Sequence, residues 1–151
     1  MLWKENTPIF KSKDEKTEVN IIAGNIYNTK APNPTPNSWA ANPENEVGVL
    51  TIKINAGGIH KIPASNSLIN RCIYFYRGDN ITLENKKITP NHCIQVNSLS
   101  EITVIAGQKD CFLLLLQGKP INEPKVQHGP FVMNTQEEIQ EAFIDYHNTH
   151  F

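Results

Sequence analysis

Five histidines and three cysteines are the side chains that could ligate a metal or act as nucleophiles: His60, His92, His128, His147 and His150, with Cys72, Cys93 and Cys111. A first-row metal centre needs imidazoles, thiolates or carboxylates converging from several elements, with positions left open for a substrate. His60 and His92 stand at strand ends, where a histidine is more often solvated or hydrogen-bonded than a ligand. His128, just before Gly129-Pro130, reads as packed or exposed, and His147 and His150 near the end of a terminal helix suit its negative pole. The cysteines are odd in number and hold no Cys-x-x-Cys pair, which argues against a disulfide framework and a zinc knuckle. No Ser-His-Asp or Cys-His set has a spacing that singles it out. Arg71, Tyr74 and Gln95 could line a polar pocket, subject to the alternation that sends successive strand residues to opposite faces.

The elements that must position these residues are mostly short strands. Glu18 to Ala23 is a strand candidate closed by Gly24, and the stretch from Ala31 to Trp39 carries three prolines in five residues. Proline removes backbone donors and excludes a helix, so this stretch is expected to be an extended, polyproline-like strap on the surface. From Glu46 to Leu116 come strand candidates at Val47 to Ile54, Cys72 to Tyr76, Ile81 to Leu83, His92 to Val96, Ile102 to Ile105 and Phe112 to Leu116. Turn residues such as Asn55-Ala56-Gly57-Gly58 and Arg77-Gly78-Asp79-Asn80 divide them. Such spacing without intervening helices predicts an antiparallel sandwich or barrel. Residues 113–116 are four consecutive leucines, as expected of a strand buried on both faces.

The end of the chain changes period. Thr135-Gln136-Glu137-Glu138 matches a capping box, and Ile139, Ala142, Phe143 and Tyr146 follow on one helical stripe. A helix from about Gln136 to His147 is expected.

With 151 residues the chain suits one domain, and burial of roughly two-thirds of its surface suffices without staples. We divide it into a strand and strap over 1–45, a barrel over 46–118, and a tail with helix over 119–151. Lys+Arg 14 against Asp+Glu 15 leaves no electrostatic footprint for nucleic acid or an anionic membrane. The apolar run from Cys111 to Leu116 is too short to span a bilayer, and no charged and apolar leader opens the chain. A reduced, soluble, cytoplasmic protein is expected, and the initial Met1 favours a complete short gene product over part of a longer one.

The segment Leu113 to Leu116 followed by Gln117-Gly118-Lys119-Pro120-Ile121-Asn122-Glu123-Pro124 resembles the pirin family. So does Gly129-Pro130-Phe131-Val132-Met133-Asn134-Thr135, with Asp145-Tyr146 on the helix beyond it. Pirins have two tandem cupin barrels, an iron site in the first and a reported quercetinase-like dioxygenase activity in some members. The resemblance places this whole chain in the second half. It implies an all-β fold, a cupin-like antiparallel barrel or jelly roll with a C-terminal α-helix.

Cupins in general bind metal through Gly-x5-His-x-His-x3,4-Glu-x6-Gly and then Gly-x5-Pro-x-Gly-x2-His. Counting from Gly57 puts the histidine positions at Pro63 and Ser65. Counting back from Gly78 puts them near Ser65 and Ser67, with Arg71 at the glutamate position. Counting from Pro90 puts the last histidine position at Gln95. None of these is a ligand of the required type, although His60 and His92 lie close to the two motif regions. The expectation is a non-catalytic, metal-free domain with no cofactor and no catalytic or metal-binding residue, acting as a structural or interaction module. Its partner would be a separate N-terminal cupin domain or a second copy in a homodimer, with Phe131, Ile139, Phe143 and Tyr146 near the contact. The alternatives are a non-haem iron quercetinase-like dioxygenase built on His60 and His92, and a metal-free small-molecule-binding barrel.

Overall fold

The computed structural model describes residues 6–149. It divides into two compact units, one ending at Pro120 and the other beginning at Ile121. In chain order the first unit holds β1 (Ile9–Lys11), β2 (Thr17–Ala23), β3 (Asn25–Ile26), β4 (Thr29–Lys30), β5 (Gly48–Ile54), β6 (Ile59–Ile62), β7 (Asn70–Arg77), β8 (Ile81–Leu83), β9 (Lys86–Ile88), β10 (His92–Gln95), β11 (Ile102–Ala106) and β12 (Cys111–Gly118). The second holds β13 (Val126–His128), β14 (Phe131–Met133) and α1 (Gln136–Thr149).

Strands β1-β2-β5-β12-β7-β10 form a six-stranded sheet in that spatial order, and β6-β11-β8-β9 form a four-stranded one, with every pairing antiparallel. The two sheets bury one common core, which takes Val19 and Ile21 from β2, Leu50 and Ile52 from β5, Ile73 and Phe75 from β7, and Leu113 and Leu115 from β12. The smaller sheet supplies Ile62, Ile81, Leu83, Ile102 and Val104. This is the expected all-β double-sheet jelly roll with a C-terminal helix. Period-two alternation builds it: β5 runs buried and half-buried in strict turn, and each fully buried aliphatic side chain contributes about 1.5–3 kcal/mol.

One expectation is corrected. Leu113 and Leu115 are fully buried, but Phe112, Leu114 and Leu116 are only half-buried, so β12 is not covered on both faces. The six-stranded sheet packs on its partner sheet through the face that carries Leu113 and Leu115. Strands β6 and β9 escaped the sequence pattern because Ile59-His60-Lys61-Ile62 and Lys86-Lys87-Ile88 lack an apolar alternation. The proline-rich strap has no regular structure over residues 31–35, is exposed from Pro32 to Asn37, and leads into two short 3-10 turns at Trp39–Ala41 and Pro43–Asn45. No helix among the described residues is long and apolar enough to cross a membrane.

In the second unit β13 and β14 form a hairpin across Gly129-Pro130, and α1 packs on it. Phe143 meets Phe131 edge-on at 5.0 Å and His128 at 5.4 Å, and Phe131 also faces Tyr146 at 6.0 Å. Three members of the expected contact set, Phe131, Phe143 and Tyr146, therefore face one another, while Val132 and Ile144 remain exposed. His147 lies in the last turn of α1, and His150 falls outside the described residues. The capping box closes as its residue types require. Thr135 Oγ1 accepts from the Glu138 amide at 3.2 Å, and Glu138 Oε2 accepts from the Thr135 and Asn134 amides, each at 2.9 Å.

Because Glu138 holds two backbone donors and Thr135 one, the cap leans on the glutamate. Thr135→Ala is expected to destabilise the helix by about 1 kcal/mol, and Glu138→Ala by at least as much. Hydrogen exchange checks this: the Asn134 and Thr135 amides should lose protection in Glu138→Ala and keep it in Thr135→Ala.

Candidate functional site

The inner face of the large sheet is apolar along most of its length and turns polar in its last cross-strand row. Leu50, Leu115 and Ile73 form one apolar row, and two residues further on Gly48, Gln117 and Arg71 stand side by side. Gly48 has no side chain where a Cβ would come within 2.8 Å of Gln117 Cγ, so Gln117 can lie across β5. From there Gln117 Nε2 donates to the Glu46 carbonyl at 3.2 Å, and Gln117 Oε1 accepts from Arg71 Nε at 2.9 Å. Arg71 Nη1 donates to the Pro63 carbonyl at 2.9 Å.

Arg71 is only 3% exposed. Burial draws its pKa down, and the Glu46 carboxylate opposes that shift. Glu46 itself sits at φ +45° after the second 3-10 turn and accepts from the amides of Asn66 and Ser67 and from the Ser67 hydroxyl. Arg71, Gln117 and Glu46 border an open cavity of about 320 Å³ whose polar lining also includes Asn25, Tyr27, Ser65 and Asn66. Such a lining can offer hydrogen bonds and one guanidinium to a small polar guest.

Of the positions counted from the sequence, Pro63, Ser65 and Arg71 meet at this cavity. Tyr74 and Gln95 do not: both are exposed on the outer face of the large sheet, so of the three pocket candidates only Arg71 points inward. His92 is exposed, with Nδ1 placed 2.9 Å from the Thr89 carbonyl oxygen. His60 is 3% exposed, faces Val104 across the β6–β11 pair, and meets Tyr27 edge-on at 6.4 Å. Its Nε2 is buried with no hydrogen-bond partner. It belongs to the core between the sheets and is not part of the cavity lining. Glu46 and Gln117 were missed by the sequence reasoning. The one available signal for Gln117 was its position at the polar end of the leucine run, and nothing local marked Glu46.

An iron centre of the kind the family pattern implies does not fit these residues. The cavity offers one carboxylate and no imidazole, and it holds a guanidinium where the pattern has a glutamate. Among the described residues no three His, Cys, Asp or Glu side chains gather in a metal-binding group.

Comparison with known proteins bears on the whole chain. The family profile described as Pirin C-terminal cupin domain matches residues 49–151. A putative quercetin 2,3-dioxygenase of Vibrio cholerae is 39% identical over 82 residues, covering 54% of this chain and 28% of that protein. Human pirin is 34% identical over 103 residues, covering 66% of this chain and 35% of pirin. A pirin-like protein of Solanum lycopersicum is 30% identical over 141 residues, 90% of this chain and 45% of its own. The chain thus spans less than half the length of these relatives. A crystal structure of quercetin 2,3-dioxygenase from Acinetobacter baumannii superposes with a TM-score of 0.83 at 21% identity, over 99% of this chain and 49% of that one. At that identity the likeness speaks for the fold.

His60 gives a pH test of the core. Burial lowers its pKa to about 4, against 6.5 for a free imidazole. The unfolded chain therefore binds a proton that the folded one refuses, and the stability present above pH 6.5 drains away as pH falls towards 4. The loss is at most about 3 kcal/mol. The denaturation midpoint of His60→Phe should fall less steeply between pH 6.5 and 4 than that of the unmodified protein.

Proposed function

The chain belongs to the pirin family through its C-terminal cupin domain, and on that premise we propose that it works as a structural and interaction domain with no metal in its cavity. The observation that carries this reading is the buried Arg71, held by Gln117 and the Pro63 carbonyl in the lining of the cavity. Two unit charges 4 Å apart near a protein surface interact by about 4 kcal/mol, and a divalent ion doubles the repulsion. A cation placed beside Arg71 would meet that repulsion with Glu46 alone to offset it.

The name quercetin 2,3-dioxygenase, borne by the Vibrio relative and the Acinetobacter structure, belongs to chains at least twice as long as the portion matched here. We assign any dioxygenase chemistry in proteins of this family to the first barrel, and to this domain the role of its partner. A second copy is the other counterpart we propose, with Val132, Ile144 and Tyr146 as exposed apolar side chains on the hairpin–helix unit. Its three free cysteines suit the reducing cytoplasm, where we place it. A second reading, a metal-free barrel for a small polar ligand, draws on the cavity beside Arg71 and its neutral donors.

Elemental analysis after incubation with ferrous iron tests the main proposal. The expected result is no stoichiometric iron. Near-stoichiometric iron that disappears on mutating His60 or His92 would overturn it. Arg71→Ala is expected to cost about 1–3 kcal/mol, because Gln117 Oε1 and the Pro63 carbonyl lose their donor. That loss should appear in the denaturation midpoint without any gain of iron.

A further inference from the structure

On the outer face of the large sheet, away from the Arg71 cavity, two thiols come together. In the β7–β10 pair Cys93 stands opposite Tyr74, and Gln95 stands opposite Cys72. Cys72 and Cys93 are therefore diagonal neighbours on one face, since side chains two residues apart along a strand share a face. Tyr74 and Cys93 are exposed and Cys72 is half-buried. Strand β10 is the sheet's edge, so nothing in the sheet lies beyond Cys93.

A disulfide is the wrong product for this geometry. Diagonal partners in an antiparallel pair have Cα atoms about 7–8 Å apart, beyond the roughly 7 Å at which two cysteines can bridge without moving the backbone. The register nonetheless puts both thiols on one face as diagonal neighbours, whose Cβ atoms lie closer together than their Cα atoms and within reach of long side chains. An ion can join sulfurs that cannot bond directly. With metal–sulfur bonds of about 2.3 Å, it spans sulfurs up to about 4.6 Å apart, against about 2.05 Å for a disulfide.

We propose that Cys72 and Cys93 form a two-thiolate surface site for a soft monovalent cation of the copper(I) type. Thiolates select such ions over hard ones. Two ligands with no third His, Cys, Asp or Glu gathered beside them suit a two-coordinate ion and not tetrahedral zinc. Leu114 and Leu116, the cross-strand neighbours of Tyr74 and Cys72, give the site an apolar flank. On binding, both S–H bonds break, each sulfur keeps its electron pair for a bond to the ion, and two protons leave to solvent. The product carries one net negative charge, and no oxidation state changes. Cys111 is separate: it is buried, and its thiol donates to the carbonyls of Asn80 and Lys109.

The test is anaerobic titration of the reduced chain with copper(I) in competition with the chromophoric chelator bicinchoninate. The expected result is uptake of one equivalent by the unmodified chain. Losing an outer-sphere partner weakens a metal site by about 10–100-fold, so losing a ligand in Cys72→Ser or Cys93→Ser should weaken it by more than about 100-fold. Cys93 is exposed, so its serine variant is the one expected to keep the fold, and circular dichroism checks that it does. If folded Cys93→Ser takes up copper(I) as the unmodified chain does, or the unmodified chain fails to compete with the chelator, the proposal is overturned.

Discussion

The register of β12 is the constraint on which the first unit depends. It pairs with β5 along one edge and β7 along the other, from Cys111 to Gly118. Because side chains alternate with period two, that register decides in one step which residues face the core. Leu113 and Leu115 go inward beside Ile52, Leu50, Phe75 and Ile73. A slip of one residue would turn Phe112, Leu114 and Leu116 inward and expose the leucines now fully buried. The same register sets Gln117 between Gly48 and Arg71, so the core and the polar cavity share one origin.

The polar row is stable because each buried group in it finds a partner. A buried guanidinium is costly unless hydrogen-bonded, and Arg71 is met by a side-chain amide and a backbone carbonyl. Gln117 reaches that position because Gly48 leaves room for it. His60 solves the problem of burial differently: it stays neutral in the core, with its Nε2 unpartnered. Arg71, at the family's glutamate position, therefore serves a hydrogen-bond row, and His60, near its histidine positions, serves the core, and neither presents a lone pair to a cation in the cavity. The outer face of the same sheet carries the opposite chemistry, with soft thiols at its open edge.

The hairpin–helix unit gives a physical meaning to the motif from Gly129 to Glu138. Gly129 has φ +53°, a conformation glycine adopts without strain, and it makes the turn between β13 and β14. Phe131 then faces Phe143 and Tyr146 on the helix, Asn134 donates to Glu123, and Thr135 with Glu138 caps the helix start. Residues that identify the family by their order are thus residues that hold this small unit together.

Local sequence determined whatever depends on neighbours along the chain. The period-two strands β2, β5, β7, β8, β10, β11 and β12, the capping box of α1 and the irregular proline strap were all legible, because alternation, capping and the loss of a backbone donor act over a few residues. The substitution of Arg71 for a ligand glutamate was legible too, once a family pattern supplied the count. Tertiary structure alone decided which side of each strand faced inward, and so it separated Arg71 from Tyr74 and Gln95 and put His60 in the core. It also revealed β6, whose Ile-His-Lys-Ile segment pairs with β11 despite its polar composition. The partners of Arg71 come from Pro63, eight residues away, and Gln117, forty-six residues away. Cys72 and Cys93 are likewise joined only through the β7–β10 register. Contacts between strands distant in sequence follow from pairing register, which a single strand's pattern does not encode.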